Sequence, residues 1–127
     1  MSLLKSIQDG EGKTVEFKVE LPNSNTLAKT IIAFSNTGGG KLIIGVNDQG
    51  EIIGLEPDVN IFELKDKVAS IIYETCYPTV LPDIYTTTID DQLLLIIEVY
   101  RGNLLPYYLK NKGKNEGVYI RVGATNR

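Results

Sequence analysis

The run Gly38-Gly39-Gly40-Lys41 is the first place in this chain where residue type and spacing suggest chemistry. Glycine-rich loops ending in lysine cradle phosphates when the pattern GxxxxGK[ST] leads from a strand into a helix. Here the order is reversed. The glycines follow a segment of helical periodicity and precede an apolar strand, so no helix N-terminus is offered to a phosphate. Leu42 stands where the hydroxyl residue belongs. ATP is therefore not an expected ligand, and the glycines read as a helix stop with close backbone packing. Asn36 and Thr37 just ahead could bond a ligand, but capping or a turn contact is the expected role.

The chain contains no histidine. That excludes Ser-His-Asp and Cys-His catalysis, histidine general bases and His-ligated zinc. Any chemistry falls to carboxylates, lysines, tyrosines, hydroxyls or backbone groups. Cys76, the single cysteine, excludes an internal disulfide and reads as a packed small residue at a helix end. Lys110, Lys112 and Lys114 cluster around Gly113 and Asn115, and Arg121 alternates with Tyr119 on a following strand. Together they make a candidate phosphate-contacting surface that would position nucleic acid without reading its sequence. Lys18 and Lys41 are further candidates. Tyr107, Tyr108 and Tyr119 could stack on bases, although strand aromatics usually pack on neighbours.

The elements that must position these groups follow from periodicity. Leu3 to Ile7 suggests a short helix before the Asp9–Gly12 loop. Thr14 to Glu20 alternates Val15, Phe17 and Val19 against Glu16, Lys18 and Glu20, which predicts a half-buried strand. Pro22-Asn23-Ser24-Asn25 supplies N-cap residues for a helix to about Ser35, with Leu27, Ile31 and Phe34 as its inner stripe. Leu42 to Val46 reads as a central strand, turned at Asn47–Gly50 into a partner strand over Glu51 to Gly54. A second helix is predicted from about Asn60 to Tyr73. Asp83 to Ile89 and Leu93 to Tyr100 form a hairpin about Asp90-Asp91-Gln92. Pro106 to Lys110 and Val118 to Val122 are short strands joined by the lysine-rich loop. Gly123 to Arg127 reads as the start of a capped helix, as if the chain were a domain from a longer protein. This order implies an α+β fold.

Bulk properties set the class. The 127 residues suit one domain, with 43% hydrophobic and 23% charged residues. No apolar run approaches a membrane span, and MSLLKSIQDGEG lacks a signal-peptide pattern, so a cytoplasmic protein is expected. A net charge of −3 and a pI near 4.9 disfavour broad non-specific nucleic-acid binding but permit a local basic surface.

Four segments together carry a resemblance: Glu16-Phe17-Lys18, Ala33 to Gly40, Gly45 to Gly54, and Gly117 to Asn126 (GVYIRVGATN); Pro106 to Lys110 also fits. In this order, and over nearly the whole chain, they resemble the Schlafen AlbA-like DNA-binding domain family, found in bacterial transcriptional-regulator-like proteins and once called a divergent AAA domain. The resemblance implies an Alba-like two-layer α+β sandwich. It also implies a nucleic-acid role, with DNA expected over RNA and a basic hairpin arm reaching into a groove. A homodimer is a further expectation. No cofactor is required for binding. Eukaryotic relatives cleave RNA with three carboxylates and a divalent metal, and by motif these correspond to Glu11, Glu16 and Asp48. Oxygen ligands of this kind suit magnesium or manganese. The odd spacing of Glu11 and Glu16 would place them on opposite faces of one regular strand, so Gly12 must bend the chain for them to converge. Three functions follow: a nucleic-acid-binding domain, a metal-dependent endoribonuclease, or a protein-interaction and dimerisation module.

Overall fold

The computed structural model describes residues 2–127. Its centre is a mixed four-stranded sheet. The strands β1 (Val15–Lys18), β2 (Gly40–Ile44), β4 (Asp83–Ile89) and β5 (Gln92–Val99) lie in the order β1-β2-β5-β4. β1 and β2 are parallel, with Phe17 opposite Ile43, and the other pairings are antiparallel. The parallel pair requires a crossover, supplied by α2 (Ser24–Asn36). α3 (Ile61–Thr75) packs beside α2. Both cover the face carrying Leu42, Ile44, Leu95, Ile97 and Val99. The opposite face, with Phe17, Ile43, Leu94 and Ile96, is covered by Ile7 of α1 (Leu3–Asp9) and by Val46. The fold class is α+β, as expected.

Local signals account for most of these boundaries. The Asn23 carboxamide accepts from the Thr26 amide and starts α2. Asn60 does the same for α3 through the Glu63 amide. The apolar stripe of α2 is wholly buried. α2 ends where Gly39 turns at φ 75 and donates to the Phe34 carbonyl at 2.9 Å. A side chain at Gly39 would run into the Val99 carbonyl, and one at Gly40 into the Phe34 ring. Two of the three glycines are thus packing requirements. The β4–β5 hairpin turns through Asp90 and Asp91, both at positive φ (52 and 62), the backbone of a type I′ turn.

Four expectations are corrected. Glu51 to Gly54 forms no strand: Val46 and Ile52 make a single bridge, and the Ile53 and Gly54 amides both donate to the Gly45 carbonyl. The lysine-rich segment is not an extended arm. It folds into a single helical turn, α4 (Gly113–Glu116), between β6 (Tyr108–Leu109) and a bridge from Tyr108 to Val118. β6 pairs with β3 (Cys76–Tyr77), away from the main sheet. Residues 123–127 do not begin a helix. β7 (Arg121–Val122) turns at Gly123 into β8 (Thr125–Asn126), because Ile120 and Arg127 exchange both backbone hydrogen bonds. The last correction is the burial of Arg121, described below. No helix among the described residues is long and apolar enough to cross a membrane.

Candidate carboxylate cluster and nucleic-acid interface

The two glutamates do converge, and the chain bends where expected. The Gly12 amide donates to the Val15 carbonyl at 3.0 Å, folding residues 12–15 into a tight turn. That turn returns Glu11 to the outer edge of β1, where its Oε2 accepts the Phe17 amide at 2.9 Å. Glu11 thereby satisfies an N–H that the edge strand would otherwise leave bare. The Glu11 carboxyl also lies within hydrogen-bonding reach of Glu16 once one of them carries a proton. Burial raises the Glu11 pKa, and the neighbouring Glu16 and Asp48 carboxylates raise it further against the lowering effect of the Phe17 amide.

Asp48 is the more distant member. Its turn is built by Asn47, whose side chain accepts from the Gln49 and Glu51 amides and donates to the Glu51 carboxylate. Asp48 itself is exposed and acts on Glu11 through its charge. Among the described residues no three carboxylates gather closely enough to hold a metal ion. Glu16 is also engaged by cations: Oε1 meets the Arg121 guanidinium at 2.8 Å, and Oε2 lies 3.7 Å from Lys18. The arrangement is a close carboxyl pair with a third charge nearby, and it does not fit a three-carboxylate metal cage.

Arg121 is the largest departure from the surface reading. It is 3% exposed. Its guanidinium donates to the carbonyls of Gly12 and Val15, to Glu16 and to the Asn126 side chain, at 2.8 to 3.0 Å, and it lies over the Phe34 ring. Its amide donates to the Thr37 hydroxyl. With its charge neutralised inside the fold, Arg121 is not placed to meet a phosphate. It holds the 12–15 turn and Glu16 in position. Asn36 and Thr37 serve the same assembly. The Asn36 side chain bonds the Tyr107 carbonyl and amide and the Tyr119 carbonyl, between 2.7 and 2.8 Å.

The remaining candidates divide by exposure. Lys112 and Lys114 are exposed and carry no ion pair among the described residues. Lys110 is exposed but tied to α3: it donates to the Tyr73 carbonyl at 3.0 Å and lies over the Tyr73 ring. Lys41 is half-buried on β2. None of the three tyrosines presents a bare ring. Tyr107 is buried, Tyr108 tilts against Tyr77, and Tyr119 lies beneath Lys29. Cys76 is buried as expected, and burial pushes its thiol up to about 11. Lys13 and Arg101 were not singled out in the sequence. Both are exposed beside Gly38, and nothing in their local pattern marks them.

The sequence pattern of the Schlafen, AlbA_2 family matches residues 11–127, which include every element from the 12–15 turn to the C-terminal hairpin. The chain belongs to the Schlafen AlbA_2 family. No curated protein matches the chain. Solved structures give the same fold for this Schlafen AlbA_2 domain. The N-terminal domain of an ATP-dependent DNA helicase RecG-related protein from Nitrosomonas europaea is 24% identical with a TM-score of 0.68, the match covering 98% of this chain and 89% of that one. The DIP2311 protein from Corynebacterium diphtheriae is 24% identical with a TM-score of 0.64 over 91% of this chain. The Schlafen AlbA_2 chain spans only 22% of the DIP2311 chain. At these identities the likeness speaks to the fold alone.

Proposed function

We propose that this Schlafen AlbA_2 chain is a nucleic-acid-binding domain of a cytoplasmic, bacterial-type transcriptional regulator, with DNA as the preferred ligand. The observation that carries the reading is the exposed pair Lys112 and Lys114. They stand without ion pairs on a loop that β6 and the Val118 bridge hold in place. Unpaired surface lysines on an ordered loop gain counterion-release free energy when they meet phosphates. Family membership and the helicase-related neighbour support the same reading. The test is binding to DNA at low ionic strength, comparing the wild type with Lys112→Ala/Lys114→Ala. Weaker binding in the double variant, falling with salt in both proteins, is expected. Binding that is absent, or indifferent to salt, rejects the reading and leaves a protein-interaction module.

A second reading, a metal-dependent endoribonuclease, is favoured by one observation. Glu11, Glu16 and Asp48 are near enough for their charges to act on one carboxyl. The absence of a three-carboxylate cage weighs against it. An RNA cleavage assay with magnesium or manganese, comparing wild type with Glu16→Gln, decides this reading: equal activity removes it.

A further inference from the structure

Two adjoining clefts, of about 320 and 410 Å³, share Gly38 and Arg101 and so form one groove past the end of β2. Three cations line it: Lys13 on the 12–15 turn, Lys41 on β2, and Arg101 just after β5. None takes part in an ion pair or side-chain hydrogen bond among the described residues. In a chain of net charge −3, three unpaired cations around one concavity focus a positive field onto whatever enters it.

The rest of the lining gives the groove a direction. Glu98 is the carboxylate among the lining residues; it accepts the Tyr85 hydroxyl at 2.9 Å and lines only the first cleft. Lys13 lines only the second. An anion is therefore drawn toward Lys13 and Arg101 and away from Glu98. Tyr100 lines the first cleft, 58% exposed, with its hydroxyl donating to Asp83 at 2.8 Å. An exposed ring held in this way is a platform on which an unpaired base can stack. Gly38 has a role different from its neighbours. A side chain at Gly39 or Gly40 would collide with the fold, but one at Gly38 would enter open space.

The geometry points to a phosphate-binding groove, formed by Lys13, Arg101 and Lys41 around the bare backbone of Gly38, that takes a phosphate next to an unpaired base. This rests on the nucleic-acid reading above and adds a second surface to it. The phosphate can belong to a single strand or to a free nucleotide.

The test uses the whole chain in four forms: wild type, Lys13→Ala/Arg101→Ala, Gly38→Glu, and Lys112→Ala/Lys114→Ala. Each is titrated at low salt with a short fluorescent single-stranded DNA and, separately, with a nucleoside monophosphate. Thermal melts confirm that each variant folds, and Gly38→Glu keeps the check meaningful because it fills the groove without a clash. The expected result is binding about tenfold weaker in both groove variants. For Lys13→Ala/Arg101→Ala the log–log salt slope should also be shallower by about 1.4, from two phosphate contacts at about 0.7 each on a single strand. Loss of strand binding identifies the strand as the phosphate source, and loss of saturable nucleotide binding identifies the nucleotide; either supports the groove. Wild-type affinity for both probes in the groove variants overturns it. If the strand is lost only in Lys112→Ala/Lys114→Ala, the groove fails and the nucleic-acid reading stands. If only the nucleotide binds, and does so through the groove, the nucleic-acid reading fails and the groove stands. A wild type that binds neither probe removes both.

Discussion

Arg121 and Glu11 show how one side chain can be mistaken for another kind of group. Arg121 has the charge of a phosphate contact, but four acceptors and an aromatic face hold it inside the fold. Its side chain is fully buried and Glu16 nearly so, which puts the pair where removal of one partner strands the other. Arg121→Ala is therefore expected to cost about 3–5 kcal/mol, read as a fall in the denaturant midpoint. Arg121→Lys should recover little of that loss, since an ammonium cannot reproduce the fork of donors. A change within about 0.5 kcal/mol would contradict this. Glu11 behaves in the opposite way. Its pKa lies above the ordinary value of 4.5 because burial and the neighbouring carboxylates disfavour a further charge. A raised folded-state pKa means that the folded state holds the proton more tightly. The stability from Glu11 is thus fully present below the ordinary value and lost as pH rises through the raised one. Glu11→Gln keeps an acceptor for the Phe17 amide and removes the charge. It should melt higher than wild type at pH 7 and close to it at pH 4. An equal shift at both pH values would show that repulsion is not the cause.

At the scale of elements, local rules worked where the chain satisfies its own backbone. Both long helices begin at the asparagines that cap them. The β4–β5 hairpin turns where two aspartates interrupt two apolar runs. That turn leaves Asp90 and Asp91 at positive φ, a region that disfavours side chains with a Cβ. Asp91→Gly, which allows the preferred second residue of a type I′ turn, should stabilise the domain by about 1 kcal/mol, seen as a higher melting midpoint. No gain would mean that the Asp91 side chain offsets its backbone strain. Rules failed for Glu51 to Gly54 and for residues 118–127. These segments take their partners from distant parts of the chain. Leu55 bonds the Leu93 carbonyl, while the 118–127 segment is held by Asn36, Thr37, Thr30 and the 12–15 turn. Such partners leave no mark in local periodicity.

The whole molecule is acidic, with a net charge of −3, yet its exposed lysines 112 and 114 and the groove cations occupy discrete positions. A uniform field would give weak binding to any polyanion. Discrete cations on a repulsive background should instead give modest affinity that falls steeply with salt, because each phosphate contact releases counterions while the surrounding acidic surface contributes none. Measured between about 50 and 200 mM salt, the wild type should lose most of its affinity for DNA. Retained affinity would place the binding energy in apolar contacts rather than in these cations.

The sequence by itself determined the α+β class, the family, the two capped helices, the buried central strand and the β4–β5 hairpin. Each follows from periodicity, capping or turn chemistry within about fifteen residues. It also identified Glu11, Glu16 and Asp48 through the family motif, together with the bend at Gly12 that the first two require. Only the tertiary structure decided that the glutamates pair while Asp48 stays apart, that Arg121 points inward, and that Lys13, Lys41 and Arg101 line one groove. Those outcomes depend on contacts spanning up to about a hundred residues, such as Arg121 with Gly12 and Glu16. A lysine on a turn, another on a strand and an arginine after a third strand share no local pattern. Packing around the sheet brings them together.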